Sequence, residues 1–165
     1  TGSAKCGGNY AASLLPQELA YAQGCSQVLF VDAAERRWVE ELGGMNFFMI
    51  TTDNQLATPD LNGNILPGVT RDSLLAVAPE LGLTPHERPI ELTEVLTRIE
   101  DGSVRELFAC GTAAVITPIR SLKHEGREYA IDVDKATHTI PLREHLLDIQ
   151  YGRIADTRGW MQRVC

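Results

Sequence analysis

The chain has 165 residues, enough for one domain with a proper core, and its 44% hydrophobic and 22% charged residues are ordinary for a soluble globular protein. Acidic side chains outnumber basic ones by 22 to 15, and the net charge of −7 argues against nucleic acid as a main partner. No apolar run approaches membrane-spanning length and there is no signal peptide, so no membrane partner is expected and the setting is read as cytoplasmic. Cys6, Cys25, Cys110 and Cys165 show neither CxxC nor zinc spacing and read as reduced thiols. His86, His124, His138 and His145 are scattered, with no metal spacing, and read as surface or cap residues.

The first stretch with chemical character is Ala4-Lys5-Cys6-Gly7-Gly8-Asn9-Tyr10. Two glycines allow a turn, Asn9 suits the start of a helix, and Lys5 is expected at the lead-in with its stem held in place. A lysine shielded from water loses its proton more readily and becomes an imine-forming nucleophile; alone, such a lysine reads as a surface charge. The apolar spacing of Ala11, Leu14, Leu15, Leu19 and Ala22 predicts a helix over 10–22, bent at Pro16 and ended by Gly24. Residues 26–33 read as a buried strand, Glu35-Arg36-Arg37 as a charged turn, and 38–41 as extended up to Gly43-Gly44. A further strand is expected over 46–52, then a turn at Asp53-Asn54 and a return strand over 55–58. After a loop over 59–67, a helix begins near Thr70 and runs through Leu74, Leu75 and Val77, limited by Pro79 and Gly82. The remainder reads as a strand over 87–92, a helix over 93–100, strands over 104–109 and 114–119, a turn over 124–126 and an amphipathic helix over 140–151. Strand pairs separated by helices predict a mixed α/β or α+β domain without repeats or linkers.

Three further stretches suggest binding. In Leu66-Pro67-Gly68-Val69-Thr70-Arg71 a Pro-Gly turn opens a helix whose first N–H groups and positive dipole end form a ready phosphate site, though generic helix starts look alike. Gly111-Thr112-Ala113 makes a second tight turn after a strand, where exposed N–H groups can bind another anion. In Glu40-Glu41-Leu42-Gly43-Gly44-Met45-Asn46 the two carboxylates alternate across an extended segment, so only one of them can face a given ligand.

Taken in chain order, these four stretches, with Asp148-Ile149-Gln150-Tyr151-Gly152-Arg153 and Gly159-Trp160 behind them, resemble the branched-chain aminotransferases, fold-type IV enzymes dependent on pyridoxal 5′-phosphate (PLP). The resemblance runs nearly end to end. It implies an α+β fold with a β pseudo-barrel flanked by helices. It also implies that Lys5 is the Schiff-base lysine and proton carrier, and that Glu41 is the anion at the pyridine nitrogen. Tyr10 would then serve the phenolic oxygen, and Leu66 would pack on the ring. Val69, Thr70 and Thr112 would hold the phosphate, while the Thr112–Ala113 backbone receives the substrate carboxylate. The implied reaction moves the amino group of leucine, isoleucine or valine to 2-oxoglutarate, giving glutamate and the branched-chain 2-oxo acids, in a homodimer.

Such enzymes carry a smaller domain before the lysine. Residues 1–165 are therefore expected to be the large, PLP-binding domain of a longer protein, lacking the upstream small domain with its phosphate-binding arginine and part of the side-chain pocket. D-amino-acid aminotransferases and aminodeoxychorismate lyases share the fold; Gly44-Met45-Asn46 and the stretch over 148–153 favour the branched-chain group. A folded, non-catalytic fragment with a vestigial site is the alternative of a different class. Two departures stand out: Gly44 replaces a hydroxyl-bearing residue of some relatives, and Ala114-Val115-Ile116-Thr117 lacks the paired-cysteine switch of some animal enzymes.

Overall fold

The computed structural model describes residues 2–164; Cys165 lies outside them. The elements in order are α1 (Gly7–Ala11), α2 (Leu14–Ala22), β1 (Leu29–Val31), β2 (Val39–Leu42), β3 (Met45–Thr51), β4 (Gln55–Thr58), α3 (Val69–Val77), β5 (Thr84–Glu87), α4 (Leu92–Glu100), β6 (Val104–Gly111), β7 (Val115–Pro118), β8 (Ser121–His124), β9 (Arg127–Ala130) and α5 (Thr139–Gln150).

Strand β3 is the axis of the molecule. Its side chains alternate between two clusters: Phe48 and Ile50 pack with Leu74 and Val77 of α3 and Leu142, Leu146 and Ile149 of α5. Phe47 and Met49 pack with Val39, Val95 of α4 and Leu107. Being buried on both faces, β3 reads as one continuous apolar run rather than an alternating one. Strand β6 pairs antiparallel along the length of β3, from Asn46↔Cys110 to Thr51↔Val104, and the Phe48 and Phe108 rings stack at 5.0 Å. The other edge of β3 is shared: Glu41↔Asn46 pairs it with β2, and Met49↔Ala57 with β4. Strands β1 and β7 extend the sheet at β2 and β6, and β5 joins β4 in parallel, giving seven strands between helical layers. Among the described residues the ladder stays open, so the expected β-structure flanked by helices is present without closure. Strands β8 and β9 form a separate hairpin, turned through Glu125 and Gly126 at positive φ.

Several sequence expectations shift. The helix over 10–22 is two helices broken at Ala12 and Ser13, with Pro16 in the first turn of α2, where its missing N–H removes no intrahelical bond. Gly7, Gly8 and Asn9 lie inside α1, so Asn9 is not the cap; its Nδ2 donates to the Ala4 carbonyl at 2.8 Å. The strand over 26–33 shortens to Leu29–Val31, because the Asp32 carboxylate accepts the N–H groups of Glu35, Arg37 and Trp38 and bends the chain. The strand over 87–92 is replaced by β5, upstream of it. Pro89 has no N–H to donate, and Leu92 already begins α4. Among the described residues no helix is long and apolar enough to cross a membrane.

Candidate functional site

Leu66 is where the separate stretches meet. Its N–H donates to Glu41 Oε1 at 2.6 Å, and its carbonyl accepts from Asn46 Nδ2 at 3.0 Å. Glu41 and Asn46 are cross-strand partners in the β2–β3 hairpin, so one rung of the sheet grips both polar groups of one loop residue. Burial pushes the Glu41 carboxyl above its ordinary value, the Leu66 N–H pulls it down, and the neighbouring Glu40 charge pushes it up again. Glu40 turns elsewhere: its Oε1 accepts from Asn64 Nδ2 at 2.8 Å. Asn46 was legible only as part of a motif, and its role in holding Leu66 needs the fold.

Gripping Leu66 places the start of α3. Gly68 caps that helix without a side-chain bond, and the Val69 and Thr70 N–H groups have no acceptor among the described residues. Val69 is 74% exposed and presents backbone rather than packing, whereas Thr70 is buried in the same turn. A Cβ on Gly68 would lie 2.1 Å from Asn46 Oδ1 and 3.5 Å from the Arg71 Cβ, so any side chain there would displace the Asn46 amide from its place at Leu66. The result is an uncapped helix start with free donors and a threonine hydroxyl, suited to an anion.

The second turn, over 112–114, leaves Thr112 and Ala113 exposed, and Gly111 before it packs at Met45: a Cβ there would meet Met45 Cγ at 3.4 Å. The turn ends in Val115 at φ 60, a left-handed conformation that costs a β-branched residue about 1–2 kcal/mol. Tyr10 is half-buried against Gly44, whose added Cβ would meet Tyr10 Cε1 at 3.6 Å. Tyr10, Gly44-Met45, Leu66 and Gly111, drawn from all four stretches, thus converge.

Lys5 departs from expectation. It is exposed, and its amine makes no side-chain hydrogen bond or ion pair among the described residues. Its backbone is tied more firmly: the Ser3 N–H donates to the Gly63 carbonyl at 3.1 Å, and a Cβ on Gly2 would fall 1.9 Å from the Asn64 carbonyl oxygen. The segment bearing Lys5 therefore runs against the loop that carries Leu66. Cys110, beneath the second turn, is buried and its thiol is pushed up to about 12, leaving it unreactive. Among the described residues no group of three or more His, Cys, Asp or Glu is placed to hold a metal ion.

Comparison with known proteins matches residues 3–122 to the family of class IV aminotransferases. A branched-chain-amino-acid aminotransferase of Mycolicibacterium smegmatis is 50% identical over 168 aligned residues, covering 99% of this chain and 46% of that protein. The crystal structure of the Escherichia coli branched-chain amino acid aminotransferase superposes with a TM-score of 0.81 at 30% identity, covering 100% of this chain and 50% of that one. The Thermobaculum terrenum branched-chain aminotransferase in its PLP form gives 0.79 at 32% identity, over 98% of this chain and 49% of that one. The chain thus spans about half the length of the curated relatives it matches.

Proposed function

This chain belongs to the class IV aminotransferases, and on that premise we propose that it is the PLP-binding large domain of a branched-chain amino acid transaminase. The reaction moves the amino group of leucine, isoleucine or valine to 2-oxoglutarate. The carrying observation is the double grip on Leu66, which ties the carboxylate of Glu41 to the anion-binding start of α3. The names borne by relatives at 50% identity support the branched-chain substrate class.

The residues present fit PLP. Val69 and Thr70 offer unpaired N–H groups and Thr70 a hydroxyl to the phosphate, with Thr112 on the neighbouring turn. Glu41 Oε1 is occupied by Leu66, leaving Oε2 for a protonated ring nitrogen. Because burial makes an isolated Glu41 charge unfavourable, a cation beside it is favoured in return. When bound, PLP supplies an electron sink for negative charge developing at the substrate Cα. Tyr10 would serve the phenolic oxygen, Leu66 would pack on the ring, and the Thr112–Ala113 backbone would orient the substrate carboxylate. Lys5 would anchor the cofactor covalently and, once displaced by the incoming amine, its freed amine would carry the proton between the substrate Cα and C4′.

A homodimeric state and a cytoplasmic setting complete the reading; the exposed Leu14, Leu15 and Leu19 of α2 support a further protein surface against it. The test is reconstitution of the intact protein with PLP and a panel of L- and D-amino acids, with 2-oxoglutarate as acceptor. Turnover confined to leucine, isoleucine and valine supports the proposal, and turnover of D-alanine instead removes it. Lys5→Ala is expected to abolish transamination with an unchanged circular dichroism spectrum; activity within tenfold of the parent would take Lys5 out of the reaction.

A further inference from the structure

Arg71 is the only buried cationic residue among the described residues, at 4% exposure, and nothing above uses it. It lies one residue beyond Thr70, in the first turn of α3. Its Nη2 donates to the Pro59 carbonyl at 2.8 Å and to Glu87 Oε2 at 2.7 Å, while its Nε is buried without a partner. The two acceptors share one place in the fold: Thr58 and Glu87 are register partners in the parallel β4–β5 pair, and Pro59 follows Thr58. The guanidinium therefore straps the start of α3 across the joined ends of two strands.

As a stabilising device this is poor. Burying a guanidinium costs several kcal/mol, only one half-exposed carboxylate offsets it, and a hydrophobic side chain of similar volume would serve the core as well. As a device for placing an anion site it is apt. The Arg71 stem lies against Gly68, where an added Cβ would meet the Arg71 Cβ at 3.5 Å, and Arg71 is buried where Val69 is exposed. The turn is thereby held from Asn46 on one flank and from the β4–β5 ends on another.

We propose that Arg71 is a positioning residue for the phosphate group, fixing the Val69–Thr70 turn so that its donors are preorganised before the ligand arrives. This deepens the transaminase reading and rests on it.

The test measures binding of PLP, pyridoxal and inorganic phosphate to the intact protein by calorimetry, in the parent, Arg71→Met and Arg71→Lys. Lysine keeps a basic group on a stem of similar length, and its amine stops one atom short of Nη2; circular dichroism confirms that each variant tested is folded. Expected are a tenfold or greater loss of PLP and inorganic phosphate affinity in Arg71→Met and about threefold in Arg71→Lys, with pyridoxal within twofold of the parent in both. Pyridoxal lacks the phosphate, so a merely structural role would weaken it equally, and that outcome overturns the proposal. Parent-like phosphate affinity in either folded variant overturns it too; if Arg71→Met fails to fold, Arg71→Lys alone decides. A parent that binds neither PLP nor phosphate sinks the transaminase reading itself, which separates the two failures.

Discussion

Glu40 and Glu41 are adjacent carboxylates with unequal work, because an extended backbone sends them to different partners. Glu41 reaches the Leu66 N–H from a half-buried position, while Glu40 holds the exposed side chain of Asn64. In Glu41→Gln the amide oxygen still accepts from Leu66, so PLP affinity is expected to stay within tenfold of the parent. The neutral amide cannot hold a ring nitrogen protonated, so kcat is expected to fall a hundredfold or more. Glu40→Gln should leave both within twofold. Steady-state kinetics and PLP titration of the two variants decide this, and reversed behaviour would move the ring-nitrogen contact to Glu40. At Gly68 the backbone is ordinary, and the argument for glycine is that an added Cβ would fall 2.1 Å from Asn46 Oδ1. Gly68→Ala is expected to break the Asn46–Leu66 bond and cost about 1–3 kcal/mol of stability together with tenfold or more in PLP affinity. A denaturant melt and a PLP isotherm indistinguishable from the parent would refute that.

Among the elements, α3 and α5 begin without a side-chain cap of their own and are completed from elsewhere. For α5 the completion is Glu106, a buried residue of β6 whose two oxygens accept the N–H groups of Thr137, His138 and Thr139 at 2.7–2.9 Å. Burial raises the Glu106 carboxyl, and the donors converging from Thr139, Thr137 and His138 more than reverse this, so it sits below its ordinary value of 4.5. A depressed carboxyl contributes stability that is present above its ordinary value and lost as pH falls through the lowered folded value. Glu106→Gln is therefore expected to cost about 2 kcal/mol at neutral pH. It should also remove part of the stability that the parent loses below pH 4.5. Urea melts across that range test both, and parallel pH slopes in the two proteins would reject the assignment.

On the scale of the whole molecule, packing is uneven. The sheet and helices α3, α4 and α5 share two buried clusters, whereas α1 and α2 bury no residue and leave Leu14, Leu15, Leu19 and Tyr21 exposed. Segments with few buried contacts open with little free energy, so amides over 7–22 are expected to exchange fastest of all the helical ones. Lys5 adjoins that segment and gains no side-chain support from the described residues. The 165-residue chain by itself is expected to bind PLP weakly, without useful turnover, since at the proposed site only neutral donors and a helix dipole worth at most ~2 kcal/mol would meet the phosphate. Titration followed at the visible absorbance of the bound cofactor checks this; tight stoichiometric binding with turnover would show these 165 residues to suffice.

Much of the local structure follows from the residues alone. The run Phe47-Phe48-Met49-Ile50 reads as a strand, although its cover on both faces is seen only in the packing; Pro67-Gly68 ahead of Val69 and Thr70 marks a helix start suited to an anion. The turn at Asp53-Asn54 follows likewise, with Asn54 adopting φ 64. Side chains within a few residues of one another decide such features. The contacts that make a site join residues far apart in the chain, and nothing local encodes them: Glu41 with Leu66, Asn46 with Leu66, Arg71 with Pro59 and Glu87, Glu106 with the start of α5. Local pattern also misplaced what tertiary packing overrides, setting a strand over 87–92 where the chain had already paired as β5. The sequence by itself determined the main strands and helices and which family the chain resembles. Only the tertiary structure decided that Leu66 is gripped from both sides and that Arg71, the one buried cation among the described residues, ties the start of α3 to Pro59 and Glu87, because strand register, not residue type, brings those groups within hydrogen-bonding distance.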